Sequence, residues 1–151
     1  MLSWLDIIER LGAAVLIGSM IGLNREMHHK PTGIRTLGLV GLGSALAVLA
    51  VASKPDADAS RVIQGVITGV GFLGAGVILH GQTGMQVQGL TTAATIWITA
   101  CLGVLCGLAA WPILAVAVAI TFLLLIAGVA AENWLTPRRG SPDQSDRTGA
   151  T

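Results

Sequence analysis

Charged and aromatic residues are scarce in this sequence. Only 11% of its 151 residues are charged and 53% are hydrophobic, whereas a soluble domain carries about 25% charged residues. An ordinary water-soluble globular domain is therefore excluded. Tyrosine is absent, aromatic residues make up 4%, and the formal net charge is +1. The chain thus lacks the stacking residues and the basic surface typical of nucleic-acid binding, and we expect no nucleic-acid partner.

Cysteine is equally scarce, with only Cys101 and Cys106, both inside one apolar stretch. A secreted disulfide scaffold would need more cysteines at loop positions. A separation of five residues places the two on different faces of a helix, so they suit neither a disulfide nor a shared metal. We interpret them as small helix-packing residues. Since no nucleophile–base constellation is visible either, we expect no enzyme activity, no cofactor and no metal site.

The sequence contains long runs without charged residues. Three runs without Asp, Glu, Lys or Arg cover residues 11–24, 36–53 and 62–131. A membrane span needs about 20 residues, so the third run has room for three spans, separated by polar or proline-containing breaks at residues 80–84 and 111–112. The sequence predicts an all-α, polytopic membrane bundle of five helices. The predicted spans are Leu5–Leu23, Thr36–Ala52, Val62–Leu79, Gly89–Ala110 and Pro112–Ala131.

Basic residues predict the orientation of this bundle. Residues 25–35 hold three basic residues against one acidic residue, and residues 136–151 hold three arginines. Because lysine and arginine favour the cytoplasmic side, we expect the N-terminus outside and the C-terminus in the cytoplasm, which an odd number of spans allows. Residues 1–135 form the predicted transmembrane domain. Residues 136–151, rich in proline, glycine, serine and charge, are expected to be a disordered cytoplasmic tail.

Glycines recur at four-residue spacing, a pattern that lets membrane helices approach closely. The pairs are Gly18/Gly22, Gly65/Gly69 and Gly103/Gly107. This spacing predicts a tight bundle that forms a homo-oligomer. Residues 69–74 also fit G-x-G-x-x-G, but no acidic residue follows at the distance that a dinucleotide site needs. Gly71 and Gly74 are therefore interpreted as packing positions, with a broken helix whose carbonyls face an ion or water as the alternative. A shift of 56 residues places Gly18 on Gly74, which suggests the hypothesis of a parallel internal repeat.

Polar residues at the helix ends are the candidate functional residues. Thr91, Thr95 and Thr99 share one helix face, where their hydroxyls could bond to their own helix, to a neighbouring helix or to a passing cation. Arg35 precedes an uncharged run and could pair with Glu26 or with lipid phosphates. Carboxylates suited to Mg²⁺ are missing from predicted helices two to five, which disfavours a dedicated divalent-cation pathway.

Several sequence motifs, and their order along the chain, carry a resemblance to a known family. They are Arg25-Glu26, KPTGIRT at 30–36, LVGLGSA at 39–45, Arg61, GVGFLGAGVIL at 69–79 and GLTTAATIW at 89–97. These long, nearly ungapped motifs resemble the MgtC/SapB family of membrane proteins over residues 11 to about 110. Two departures are Asn24, where many members carry Glu, and Thr91, where the virulence-type members carry Asn. Those members also have a soluble C-terminal domain that we do not expect here.

The resemblance implies a multi-pass protein of the bacterial inner membrane with a bundle of about five helices. It implies a link to growth at low magnesium and, in pathogens, to virulence through survival in macrophages. Family members are thought to act as regulators, including as inhibitors of the F-type ATP synthase.

Residues and resemblance together predict a non-enzymatic regulatory or interaction module whose partners are the lipid bilayer, further copies of itself and another inner-membrane complex. The alternative is a small subunit of a transporter or channel for Mg²⁺ or another solute. Gly74 would permit close helix approach, Thr91 and Thr95 would hydrogen-bond across helices, and Arg35 and Glu26 would fix the cytoplasmic mouth. The candidate functional and packing residues are Arg25, Glu26, Arg35, Thr36, Arg61, Gly71, Gly74, Thr91, Thr92 and Thr95.

Overall fold

The computed structural model describes residues 2–52, 58–80 and 89–135, and these residues form five α-helices. The helices are α1 (Trp4–Met27), α2 (Ile34–Ala52), α3 (Ala59–His80), α4 (Leu90–Gly107) and α5 (Trp111–Leu135). The predicted all-α architecture is confirmed, and within the described ranges four helices, α2 to α5, are long and apolar enough to cross a membrane. The expected tail at 136–151 and the polar break at 81–84 lie outside the described residues.

The first helix begins with a capping box. The Ser3 hydroxyl accepts a hydrogen bond from the Asp6 N–H at 3.1 Å, and the Asp6 carboxylate accepts one from the Ser3 N–H at 3.0 Å. This exchange satisfies two of the backbone donors that a helix leaves open at its start. It explains why α1 begins at Trp4, close to the predicted start at residue 5.

The turn between α4 and α5 is sharper than the sequence suggests. The predicted span to residue 110 ends three residues earlier, at Gly107. The Ala110 N–H donates to the Leu105 carbonyl and the Ala109 N–H to the Cys106 carbonyl, both at 3.0 Å. This is a Schellman arrangement, in which the residue after the cap adopts a left-handed conformation. Ala109 does so with φ +54°, although alanine lacks the freedom of glycine.

Contacts at glycines define the relative directions of α1, α2 and α4. Gly18 of α1 lies against Leu37 of α2, and Gly22 lies against Gly33 and Ile34 at the start of α2, so α1 and α2 are antiparallel. Gly103 and Gly107 of α4 lie in turn against residues 41–44 and 45–48 of α2, so those two helices are parallel. This alternation is the one that successive membrane spans require.

The contacts also bear on the predicted internal repeat. Gly18 faces Leu37 across the α1–α2 pair, and Gly74 faces Ala93 across the α3–α4 pair. Both residues of the second pair lie 56 positions after those of the first, which is the offset of the sequence match. The two helical hairpins therefore use equivalent positions for their closest approach, and this supports a parallel repeat.

Helix α4 is the central element of the unit formed by residues 1–119. It packs against α1, α2 and α3, and more than half of its span is buried. Fully buried apolar side chains form the core of this unit. Among the largest are Ile21, Leu37, Val48, Ile96 and Leu102. The part of α5 from Ile120 onward belongs to a second unit, in which its described side chains are almost all apolar.

Candidate functional site

Arg25 is the centre of a buried polar cluster between α1 and α4. It lies in the last turn of α1 and its side chain is only 3% exposed. The guanidinium donates to the Thr92 hydroxyl at 2.5 Å and to the Thr95 hydroxyl at 3.1 Å. Two further hydrogen bonds, at 3.1 and 3.3 Å, reach the Pro31 carbonyl. We call these four residues, Arg25, Pro31, Thr92 and Thr95, the Arg25 cluster.

The hydroxyls of the cluster have defined roles. Thr95 donates its own hydroxyl hydrogen to the Thr91 carbonyl at 2.7 Å, which leaves its lone pairs free to accept from Arg25. One turn later, Thr99 donates in the same way to the Thr95 carbonyl at 2.8 Å. Thr95 therefore bonds to its own helix and to a neighbouring helix at once, so two of the alternatives drawn from the sequence both hold.

The charge of Arg25 is held by neutral oxygens. In the part of the chain that the structure describes, no carboxylate forms an ion pair with its guanidinium. Hydrogen bonds from a charged donor are each worth about 1.5–3 kcal/mol, and they offset part of the cost of removing the charge from water. The cluster is thus a positively charged site inside the helix interface.

A second arginine joins the opposite ends of the same two helices. Arg10, near the start of α1, donates to the Gly107 carbonyl at the end of α4, at 3.0 Å. A cation there also interacts favourably with the C-terminal end of the helix dipole. Fifteen residues of helix separate Arg10 from Arg25, or about 22 Å. The two arginines therefore fasten α1 to α4 at both ends of the interface.

The residues expected at the cytoplasmic mouth lie together around one surface pocket. The Glu26 carboxylate accepts a hydrogen bond from the Ile34 N–H at 3.4 Å. Among the described residues Arg35 makes no ion pair with Glu26, and its side chain is exposed. Arg35 and Thr36 line two cavities on the surface of α2. Of the two alternatives that the sequence left open for Arg35, pairing with Glu26 is therefore not found, and contact with lipid phosphates stays a prediction.

The other candidate residues are scattered. Thr91 is exposed at the start of α4 and Gly71 is exposed on α3. Gly74 is buried, and a Cβ added to it would lie 3.4 Å from the Ala93 Cβ. Arg61 lies at the start of α3, where it forms an exposed ion pair with Asp58 at 3.4 Å. None of these four belongs to the Arg25 cluster.

Three features of the site were not deduced from the sequence. Thr92, rather than Thr91, shares the buried face of α4 with Thr95 and Thr99, since spacings of three and seven residues also repeat on a helix face. Arg25 was singled out, but nothing in a pattern identified the hydroxyls that it binds. The contact of Arg10 with Gly107 joins residues 97 positions apart, beyond the reach of local periodicity.

The chemistry available to the site is limited to hydrogen bonding and fixed charge. The described residues hold no cluster of three or more His, Cys, Asp or Glu side chains that could bind a metal ion. The Arg25 cluster contains no nucleophile with an adjacent base, such as the geometry of acyl or phosphoryl transfer requires. Its arrangement fits a role in holding α1, the following loop and α4 in one geometry.

Fold and site define a polytopic helical membrane protein in which hydrogen bonds from two arginines join α1 to α4. The sequence profile of the MgtC family matches residues 11–134. The chain belongs to the MgtC family.

Curated relatives agree with this assignment. The chain is 45% identical over 136 residues to protein SrpB of Synechococcus elongatus, covering 81% of this chain and 74% of SrpB. It is 42% identical over 123 residues to protein MgtC of Salmonella typhimurium, covering 81% of this chain and 51% of that protein. Against MgtC of Brucella abortus it is 43% identical over 98 residues, 64% of this chain and 40% of the relative. The chain thus spans about half the length, or less, of these MgtC proteins. No solved structure matches.

Proposed function

We propose that this protein is a non-enzymatic regulatory module of the bacterial inner membrane, which acts by binding another membrane complex during adaptation to low magnesium. Membership of the MgtC family supports the link to magnesium and, in a pathogen, to virulence. The resemblance drawn from the sequence motifs makes the F-type ATP synthase the first complex to test. A homo-oligomer is part of this proposal, because Gly71 leaves an open position on the exposed side of α3.

The observation that carries the proposal is the buried charge of Arg25. The hydroxyls of Thr92 and Thr95 form the polar face of α4, and the guanidinium of Arg25 lies against them. A divalent cation about 6 Å from a guanidinium would be repelled by about 5 kcal/mol at an effective dielectric of 20. The same face offers hydroxyls but no carboxylate with which to bind Mg²⁺. A binding and regulatory role therefore agrees better with the site than Mg²⁺ conduction does.

Complementation tests this role in cells. A bacterium deleted for its MgtC would express the full chain, or variants of it, and its growth at low magnesium would be measured. We expect the wild-type chain to restore growth. Arg25→Gln should fail to do so at equal membrane levels, because the start of α4 and the loop after α1 lose their common anchor. Glu9→Gln, which removes an exposed charge from the same helix as Arg25, is the matched control.

The proposed partner has its own test. Inverted membrane vesicles from the same strains would be assayed for proton pumping driven by ATP hydrolysis. Wild-type protein should lower the pumping rate, whereas Arg25→Gln should not. Restored growth without any change in pumping would exclude the ATP synthase and leave another membrane complex as the partner. Failure of the wild-type chain in both assays would contradict the regulatory role.

A further inference from the structure

Two neighbouring cavities on the surface of α2 share Arg35 and Thr36. The first is a groove between α2 and α3 of about 550 Å³. The second is a pocket of about 600 Å³ at the start of α2, lined also by Glu26 and Lys30. We call them the apolar groove and the polar pocket. Because Arg35 lines both cavities, its positively charged side chain lies where they adjoin.

The apolar groove extends along the two helices. On α2 it runs from Arg35 to Ser44, nine residues or about 13 Å. On α3 its wall runs in the opposite direction, from Leu73 back to Gly65. Apart from Arg35 and the hydroxyls of Thr36 and Ser44, its lining is glycine and aliphatic side chains, so that it suits a hydrocarbon.

Glycines, which have no side chain, leave space for the apolar groove. Gly43 on one wall and Gly65 and Gly69 on the other each have no neighbouring atom within 4 Å of the position that a Cβ would take. These glycines therefore do not serve close helix packing within the chain, unlike Gly103 and Gly107. A Cβ at any of the three would meet no neighbouring atom within 4 Å, so these positions can be substituted without a clash at that atom.

The polar pocket carries a positive balance of charge. Two cations, Lys30 and Arg35, line it against the single carboxylate of Glu26, and that carboxylate accepts a hydrogen bond from the Ile34 N–H. The Arg35 side chain is exposed and forms no hydrogen bond or ion pair with another described residue. Basic pockets between transmembrane helices on the cytoplasmic side are typical binding sites for anionic lipid head groups.

We propose that these two cavities together bind one anionic glycerophospholipid, with its phosphate at Arg35 in the polar pocket and one acyl chain in the apolar groove. Charge and apolarity lie in the order that such a lipid presents them, head group toward the membrane surface and chain toward the interior. A transmembrane helix of a second copy would also fill an apolar groove, but it would leave Arg35 facing an empty polar pocket. This inference is separate from the regulatory role proposed above.

Native mass spectrometry of the full chain in detergent, titrated with defined lipids, tests the head group. We expect phosphatidylglycerol to bind about fivefold more tightly than phosphatidylcholine, since one basic residue near the membrane surface contributes about 1 kcal/mol to binding an anionic lipid. Arg35→Gln should abolish that preference, whereas Arg61→Gln should preserve it. Inorganic phosphate at the same concentration should not compete, because it lacks the chain that the groove holds.

Variants of the groove test the acyl chain. Gly69→Leu and Gly43→Leu fill it from opposite walls and should weaken the binding of both lipids by tenfold or more. Ala75→Leu enlarges a side chain on the exposed opposite face of α3 and should leave binding unchanged. Circular dichroism and gel filtration verify that each variant is folded. Because the two glycine variants lie on different walls of the groove, the test remains possible if one of them does not fold.

Three results would overturn the proposal. One is an equal loss of lipid preference in Arg35→Gln and Arg61→Gln, which would mean general surface attraction. Another is displacement of the lipid by inorganic phosphate, which would make the polar pocket a site for the free ion. The third is unchanged lipid binding in both groove variants together with a smaller protein assembly, which would identify the groove as a helix-docking surface between copies.

Discussion

Arg25 places a charge in a helix interface where the described partners are hydroxyl and carbonyl oxygens. The arrangement satisfies most of its donors at once, through Thr92, Thr95 and Pro31. A charge held in this way is sensitive to the loss of any partner, because an unsatisfied buried donor costs about 1–3 kcal/mol. At the residue scale, the site is therefore a structural fastening with strict requirements.

The first prediction concerns these hydroxyls. Thr95→Val keeps the size of the side chain and removes the acceptor, so we expect it to lower the free energy of unfolding by about 1–3 kcal/mol. Thr91→Val is the matched control, since Thr91 is exposed on the same helix, and it should leave the unfolding free energy nearly unchanged. Denaturant unfolding in detergent micelles measures both. Equal effects of the two variants would contradict the geometry of the cluster.

Coupling between residues gives a sharper form of this prediction. A double-mutant cycle of Arg25→Met with Thr95→Val should show a coupling energy of about 1 kcal/mol or more, because the two side chains share a hydrogen bond. The same cycle of Arg25→Met with Thr91→Val should show none. Additive effects in the first cycle would mean that the 3.1 Å contact contributes nothing to stability.

The backbone at Ala109 is strained, and this leads to a prediction of opposite sign. Its φ of +54° lies in the left-handed region, which costs a residue other than glycine about 1–2 kcal/mol. Ala109→Gly should therefore stabilise the protein by about 0.5–1 kcal/mol, the gain being reduced by the greater freedom of glycine in the unfolded chain. Ala110→Gly, one residue later, lacks this strain and should be neutral or destabilising. The same unfolding measurement distinguishes the two.

Glycines allow the helix pairs of this protein to pack closely. Gly103 and Gly107 bring the backbone of α4 against that of α2, and a Cβ at Gly107 would lie only 2.7 Å from the Ala45 carbonyl oxygen. At the element scale, van der Waals contact between backbones replaces the interlocking of large side chains. This is typical of helix association in membranes.

Glycine substitutions should thus have effects that depend on position. Gly107→Ala should destabilise the protein by about 1–3 kcal/mol, because the neighbouring backbone has to move. Gly12→Ala adds the same methyl group where no atom lies within 4 Å, and it should stabilise α1 by up to about 1 kcal/mol through helix propensity. Thermal unfolding in detergent would show the two shifts. Shifts of the same sign would contradict the assigned packing faces.

Sequence reasoning predicted the elements better than their contacts. The uncharged runs, the break at Trp111 and the basic first loop were sufficient to predict five helices in the order that the structure shows. Their facing surfaces were not predictable, because helices that are apolar all round carry almost no directional pattern. Glycine spacing thus indicated close packing correctly for Gly18 and Gly103 but also at Gly65, which faces open space.

The limits of prediction at the site have a related cause. Arg25, Thr92 and Thr95 were all named from the sequence, yet as separate candidates. Their meeting depends on the antiparallel packing of α1 and α4, which local periodicity does not specify. Sequence proximity could not decide between the two partners considered for Arg35. In the structure Glu26 accepts a hydrogen bond from the Ile34 N–H, and no ion pair joins Glu26 to Arg35 among the described residues.

At the scale of the whole molecule, α1 to α4 pack together within the unit formed by residues 1–119. Equivalent glycines in the α1–α2 and α3–α4 hairpins mark its repeated structure, while Arg10 and Arg25 hold α1 to α4 at both ends. The outer face of α3 remains open at Gly71, and this position bears on the assembly of several copies.

Assembly is testable with two substitutions on one helix. Gly71→Leu should lower the oligomeric mass in detergent while the helix content stays normal, because only a partner copy would meet the new side chain. Gly74→Leu should instead lower the thermal stability, since it forces α3 away from Ala93 within the chain. Light scattering and circular dichroism measure the two quantities. An unchanged mass for Gly71→Leu would exclude this face as the contact between copies.

The central claim is that the positively charged Arg25 cluster fastens helices and conducts no magnesium. Flux of Mg²⁺ into proteoliposomes that contain the purified, folded chain and an internal magnesium indicator tests this most directly. We expect no flux above that of empty liposomes, for the wild type and for Thr95→Val alike. Saturable flux with the wild-type protein, lost in Thr95→Val, would contradict it and would make the hydroxyl face of α4 a transport pathway.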